Sequence, residues 1–412
     1  MSSDTLLSSA EQPAAPLAAR TVLMLAAGAG FSVASIYYSQ PMLELLASGL
    51  QAGVSTAGLV PTLTQVGYAL GILLLAPLGD RYDRRTIITL KGVLLTLALL
   101  MSAAAGSITM LLIASLAIGI TATMAQDIVP ASASLSPAAQ RGKTVGTVMT
   151  GLLLGILLSR VVSGAVAEYA GWRTMFMLAA GLVLAITLIL WRRLPHIAPS
   201  TRLSYPALLA SMRHLWLRHG ALRRAALAQG LLSVGFSAFW STLAVMLHSR
   251  YGLGSASAGA FGLAGAAGAL AAPLAGMMAD RHGPALVTRI ATALATISFA
   301  MLFLLPLLPV PLQLALIAVS AVGFDFGVQA TLVSHQTLIF GLEPAARSRL
   351  NALMFTGVFI GMALGSALGS LVLEKAGWNG VVMLLTLAGA ASFVVRISER
   401  RAVPAAACSS QP

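Results

Sequence analysis

Polar residues are so sparse along this chain that they cut it into long apolar runs. About 20 mostly apolar residues suffice to cross a bilayer as a helix. The pattern predicts twelve such windows: 21–47, 57–79, 86–106, 108–133, 142–168, 173–193, 222–248, 255–278, 284–306, 309–334, 347–373 and 377–397. Lipid offers no hydrogen-bond partner to open backbone, so helices are the expected form. A β-barrel would instead show short alternating segments.

The longest polar interruption is 194–221, "LPHIAPSTRLSYPALLASMRHLWLRHGA". It predicts a division into a tail (1–20), a six-helix bundle (21–193), a linker (194–221), a second six-helix bundle (222–397) and a tail (398–412). Leu and Trp216 alternate with Arg and His at helical spacing over 205–218, which predicts a short surface helix there.

The two bundles repeat each other. "LGDRYDRR" (78–85) follows the second window and "MADRHGPA" (278–285) the eighth, placing Asp80-Arg81 and Asp280-Arg281 200 residues apart. Arg141, Gly151, Gly155 and Gly171-Trp172 recur 206 residues later as Arg347, Gly357, Gly361 and Gly377-Trp378. A duplicated six-span unit is one recognised transporter architecture, with substrate held at the repeat interface. The expected fold is therefore an all-α membrane protein of twelve transmembrane helices in two pseudo-symmetric six-helix halves.

These landmarks resemble the major facilitator superfamily over essentially the whole chain. The family pattern after the second span is Gly-x-x-x-Asp-Arg-x-Gly-Arg-Arg. Residues 76–85 read "APLGDRYDRR", matching at Asp80, Arg81, Arg84 and Arg85, with Ala76 and Asp83 in place of the glycines. The second copy keeps Gly276, Asp280, Arg281 and Gly283 but ends in Pro284-Ala285. The resemblance implies a cytoplasmic gate in which Asp80 caps span eleven while Arg81 and Arg84 brace it, with Asp280 and Arg281 as the second copy. A carboxylate at a helix N-terminus gains about 0.3–1 kcal/mol from the macrodipole. It also implies that spans two, five, eight and eleven form the rocking interface and that spans one, four, seven and ten line a central cavity. The antiporter-type pattern of span five is only half present, with Gly151 and Gly155 followed by Ile156 and Ser159-Arg160, so antiport is not inferred from it.

Composition agrees with the pattern: 58% of residues are hydrophobic and 9% charged, against about a quarter charged in soluble domains. The net charge of +13 is topological. With the N-terminus inside, 21 of the 25 Lys and Arg fall in cytoplasmic segments, Lys91 and Arg396 among them. Loop cations are retained inside, so both termini are expected in the cytoplasm of a bacterial-type inner (plasma) membrane, and nucleic-acid binding is not expected. Cys408 is the single cysteine, so no intrachain disulfide can form. Residues 1–19 lack Lys and Arg and so lack the n-region of a secretory signal.

Ionisable residues at membrane depth default to functional candidates. Asp127, in the fourth window, is placed roughly 10 Å to the cytoplasmic side of the midplane by a rise of 1.5 Å per residue. Arg160, in "GLLLGILLSRVVS", is placed roughly 8 Å to the other side. That separation of roughly 18 Å argues against a direct pair. Arg160 is instead level with "IYYSQP", where a tyrosine face and Gln40 are available, and a cation–π contact is worth about 0.5–2 kcal/mol. Its counterpart in the repeat is Ser366, so Arg160 is specific to one half. Candidate substrate-binding residues are Tyr37 or Tyr38, Gln40, Arg160, Trp240, Asp325 and Gln329. Candidate proton-coupling residues are Asp127, Asp325 and Glu44, and His335 is a weaker candidate near the inner surface. Trp172 and Trp378 are expected in the interfacial aromatic belt.

No two of the six histidines are four residues apart and no H-E-x-x-H occurs. "RGKT" (141–144) has the ending of a phosphate-binding loop, but Pro137 occupies the glycine position. An enzyme is not expected, and neither is a metal or cofactor. A channel would need a filter or a charge ring. The reading is a monomeric secondary active transporter working by alternating access in the lipid bilayer, with a small-molecule substrate and a coupling proton. Export of a drug or metabolite is the first choice; transport of a specific organic anion or sugar is the second.

Overall fold

The computed structural model describes residues 18–137, 140–199, 201, 203–265, 274–279, 281–343 and 346–398, and no strand occurs among them. The helices are α1 (Ala19–Ala34), α2 (Leu43–Gly49), α3 (Val54–Leu75), α4 (Leu78–Arg81), α5 (Arg84–Ala103), α6 (Ile108–Ala122), α7 (Met124–Ser134), α8 (Arg141–Ala170), α9 (Trp172–Arg193) and α10 (Tyr205–Arg218). They continue as α11 (Gly220–Tyr251), α12 (Ser255–Phe261), α13 (Pro284–Met301), α14 (Val310–Phe340) and α15 (Arg347–Ile397). Among the described residues, nine helical segments are long and apolar enough to cross a membrane.

Helix occupies the predicted windows with three departures. The first window is broken between α1 and α2 by the turn residues 35–42. Pro41 lies in that turn; it has no N–H to give a helix, and it restricts the backbone of Gln40. The fourth window is interrupted at Thr123, whose hydroxyl donates to the Ile120 carbonyl at 2.7 Å. The last two windows run together as α15, yet Gly377 sits inside it at φ 66 and turns the chain. The eighth window is helical over 255–265 and 274–279, and 266–273 lies outside the described residues. The linker helix expected over 205–218 is α10, which buries Leu208, Met212 and Leu215 and exposes Arg213, His214 and Arg218.

Packing divides the chain into two compact units. The first holds residues through Ser211 together with Leu247–Leu263; the second holds Met212–Met246 and the chain from Ala264. In the first unit α8 lies against α1 with backbones nearly touching: a Cβ on Gly155 would strike the Gly30 carbonyl, and one on Gly30 would stand 2.7 Å from that of Gly151. In the second unit α15 lies on α11 the same way, with Gly361 against the Gly230 carbonyl and Gly365 against that of Val234. Small residues allow this approach where lipid supplies no hydrophobic drive between helices. These glycines thus serve packing inside each unit.

The repeated landmarks have repeated physical roles. Gly171 at φ 86 and Gly377 at φ 66 both take the left-handed conformation that glycine alone enters without strain. Trp172 and Trp378, which follow them, are 5% and 8% exposed. They were expected in the interfacial aromatic belt; the structure packs both rings against other aromatics. Trp172 meets Phe176 edge-on at 6.2 Å and Trp378 meets Phe239 at 6.1 Å. Arg141 and Arg347 each donate to a carbonyl near the end of the preceding helix, that of Ala133 at 3.1 Å and that of Phe340 at 3.2 Å. Cations are favoured at helix C-termini.

Gly361→Leu must force α11 and α15 apart, and overpacking of this kind costs about 1–3 kcal/mol or more. Gly142→Ala meets nothing within 4 Å. Thermal unfolding of the detergent-purified proteins should show a clearly lowered midpoint for the first and an unchanged or higher one for the second. Equal midpoints would remove the close-packing account.

Candidate functional site

Arg160 is 3% exposed in the middle of an apolar helix. Its Nε donates to Gln40 Oε1 at 2.9 Å, and its guanidinium carbon stands 4.9 Å from the Tyr37 ring centroid. Both partners sit in the turn that interrupts the first window, so the break near Pro41 is what presents them. Of the two adjacent tyrosines it is Tyr37 that meets the cation; Tyr38 is also buried, at 4% exposure. Arg160 and Asp127 have different partners, Gln40 for the first and Lys91 for the second.

The same stretch of α8 receives α12. Gly259 closes on the Arg160 carbonyl, Gly164 on that of Ser255, and a Cβ on Gly262 would stand 2.9 Å from Arg160 Cβ. At the helix ends, Glu168 accepts a 2.7 Å hydrogen bond from the Ala256 N–H. Glu44, on the first turn of α2, is 3.7 Å from His248 Nε2.

Asp127 is 2% exposed and lies 2.6 Å from Lys91 Nζ. Lys91 was expected as a cytoplasmic loop cation. It stands instead two turns inside α5, 4% exposed and committed to this carboxylate. Arg396 needs the same correction: it is wholly buried and donates from Nε to Thr288 Oγ1 at 3.1 Å. Removing one partner of a buried ion pair leaves a bare charge, at a cost of about 3–5 kcal/mol. Hydropathy marked Asp127 as unusual; nothing in the spacing showed that Lys91 would reach it.

The loop after α4 is built around Arg84. Its Nη2 pairs with Asp80 Oδ1 at 2.6 Å, its Nε donates to the Gly79 carbonyl at 2.9 Å, and its Nη1 reaches Ser134 Oγ at 3.4 Å. Arg81 lies 5.5 Å from the Tyr82 ring. In the second copy Arg281 is exposed, and Asp280 lies outside the described residues.

Asp83, which stands where the family pattern has glycine, has a function of its own in this loop. It caps α5 by accepting the Arg85 N–H at 3.0 Å. It also holds the start of the linker, accepting from the Ile197 N–H at 3.0 Å and from His196 Nδ1 at 2.6 Å. Two further bonds fasten the linker nearby: the Thr201 N–H to the Asp80 carbonyl at 3.1 Å and the Tyr205 hydroxyl to the Leu74 carbonyl at 2.9 Å. In the second copy the equivalent Gly283 keeps φ 82.

In the second unit Asp325 is 4% exposed on α14, and a Cβ on Gly265 would stand 2.8 Å from its Oδ2. Gln329, one turn on, is half-buried. Trp240, 3% exposed, belongs to an aromatic cluster that the sequence reading missed: Phe239 at 5.2 Å, Phe324 at 6.2 Å and Phe236 at 6.5 Å. Phe324 also stacks on Phe299 at 4.8 Å. His335 is fully buried rather than near a surface, with Nδ1 3.0 Å from Gln229 Oε1; Gln229 also donates from Nε2 to the Val328 carbonyl at 3.2 Å. Among the described residues no group of His, Cys, Asp and Glu could hold a metal ion.

Burial alone would raise the Asp83 carboxyl, but its bonds from Ile197, His196 and Arg85 outweigh burial and hold it below the usual carboxylate range. A lowered folded value means that the clasp contributes at neutral pH and is lost as pH falls through that value. Hydrogen exchange should find the Ile197 amide protected at pH 7 in the parent protein and much less so in Asp83→Ala. Equal protection in the two proteins would show that the carboxylate does not hold the linker.

Known proteins resemble this chain along most of its length. The model of the family described as Major Facilitator Superfamily matches residues 25–337. Uncharacterized transporter YgaY of Escherichia coli O157:H7 is 36% identical over 387 residues, covering 94% of this chain and 96% of that protein. Probable transporter SCO4007 of Streptomyces coelicolor is 33% identical, covering 88% and 84%. Among solved structures, nucleoside transporter NupG superposes with a TM-score of 0.74 at 14% identity, over 92% of this chain and 98% of that one. The inward open xylose transporter XylE from E. coli gives 0.71 at 17% identity, over 92% and 95%.

Proposed function

Because the chain belongs to the major facilitator superfamily and is a membrane transporter, we propose that it is a secondary active transporter working by alternating access, exporting a small organic molecule in exchange for protons. The observation that carries the coupling is Asp325, a carboxylate 4% exposed inside an apolar helix. A buried carboxylate can be tuned to titrate near neutral pH. Asp127 is the weaker coupling candidate because Lys91 already meets its charge, and Glu44, with His248 beside it, is assigned to proton entry.

The inner membrane with both termini in the cytoplasm is the orientation this reading adopts, on the strength of the cation distribution. Asp80, Arg81 and Arg84, with Asp280 and Arg281 in the second copy, are assigned to the cytoplasmic gate. The Asp80–Arg84 pair at 2.6 Å supports a rigid loop in that place. Arg160 favours the second reading, transport of a specific organic anion, since a buried guanidinium suits an acidic group.

A thermal-shift screen on purified protein at about pH 6 and pH 8, either side of a tuned carboxylate, would identify a substrate. Its uptake into inside-out vesicles driven by an imposed pH gradient should then be abolished by Asp325→Asn, with the protein still folded and still stabilised by the substrate. Unchanged gradient-driven uptake would remove Asp325 from the coupling role.

A further inference from the structure

The Arg160–Gln40 hydrogen bond fixes which way the amide of Gln40 points. A guanidinium only donates, so the oxygen must face it; with the amide reversed, donor would meet donor. The amide nitrogen is therefore committed to the other side. Gln40 is 1% exposed, and its Nε2 is buried with no hydrogen-bond partner. Buried donors are almost always satisfied, and leaving one unmade costs about 1–3 kcal/mol. Two other buried glutamines follow the rule: Gln229 donates to the Val328 carbonyl at 3.2 Å and Gln313 to that of Leu308 at 2.8 Å.

What this donor suits follows from its neighbours. It belongs to the same amide group that a permanent cation holds, and that cation stands over the Tyr37 ring. An acceptor carrying negative charge gains from both the amide and the guanidinium, whereas a neutral acceptor gains little from the second.

We propose that Gln40 and Arg160 form a subsite for an oxyanion, the carboxylate or phosphate oxygen of a small organic anion, with Gln40 Nε2 donating to it. This rests on the transporter reading and narrows its substrate class. Arg160 supplies the charge. Gln40 is both the group that positions Arg160 and a direct contact.

Gln40→Glu is the decisive variant. It keeps an acceptor for Arg160 Nε at the same length, so the buried bond that holds the turn survives. It replaces the donor with a negative oxygen, which repels an anion. Purified parent protein and variant are screened by thermal shift against millimolar carboxylates, phosphate esters and inorganic phosphate, each beside a neutral amide or an amine of the same carbon skeleton. The parent should be stabilised by members of the anionic arm, and the carboxylate and phosphate arms tell the two sources apart. Gln40→Glu should fold with an unchanged circular dichroism spectrum and weaken anion binding at least tenfold; Arg160→Gln should weaken it further.

Stabilisation only by neutral or cationic members, no stabilisation by any anion, or anion binding equal in parent and Gln40→Glu would each overturn the subsite. Transport of a neutral substrate unaffected by Gln40→Glu would overturn it while leaving the transporter reading standing. Anion binding without any transport in vesicles would do the reverse.

Discussion

A charge at membrane depth finds no counter-charge and no hydrogen bond in the lipid, so the protein must supply both. The rest of this structure can be read from how it does so. Lys91 and Asp127 neutralise each other at 2.6 Å between α5 and α7. Arg160 is met by a tyrosine face and an amide oxygen. Arg396 donates to a threonine hydroxyl. These are different solutions with different consequences. A matched pair is a structural tie with little net charge. Arg160 is held by an aromatic face and an amide oxygen, and Asp325 lies buried on α14. The proposed function accordingly assigns substrate recognition to Arg160 and coupling to Asp325.

The duplication explains which features belong to the fold and which to this chain. The Gly-Trp pairs, the arginines at the starts of α8 and α15, and the glycines that press α8 on α1 and α15 on α11 all recur, and each has the same physical duty in both copies. The departures are the informative positions. Asp83 replaces a glycine and turns a tight loop into a helix cap that also holds the linker, while Gly283 in the other copy keeps the left-handed turn. Arg160 stands where the other copy has Ser366.

Hydropathy made most of the helices legible because length and apolarity are one-dimensional properties. Breaks were harder. Pro41 was visible in the sequence, yet the first window still read as one span; the interruption at Thr123 depends on a hydroxyl bonding its own helix. The placement of Arg160 beside "IYYSQP" followed from depth alone. The choice of Tyr37 over Tyr38 did not, since it depends on how the chain turns. Arg396 was misplaced because it lies in the last turn of its helix, where a cation can equally reach water or fold inward onto a neighbour; Lys91 was misplaced because its partner Asp127 comes from another helix. The buried tryptophans likewise depend on the positive-φ glycines ahead of them, a tertiary fact that an aromatic count does not contain.

Under the proposed function, substrate and protons move through this protein in a coupled exchange that depends on Asp325. The most direct measurement uses sealed proteoliposomes that contain a pH-sensitive dye and no imposed pH gradient. An outward gradient of the identified substrate should draw protons inward and acidify the lumen in proportion to the substrate lost. Substrate efflux with a constant lumenal pH would contradict the account.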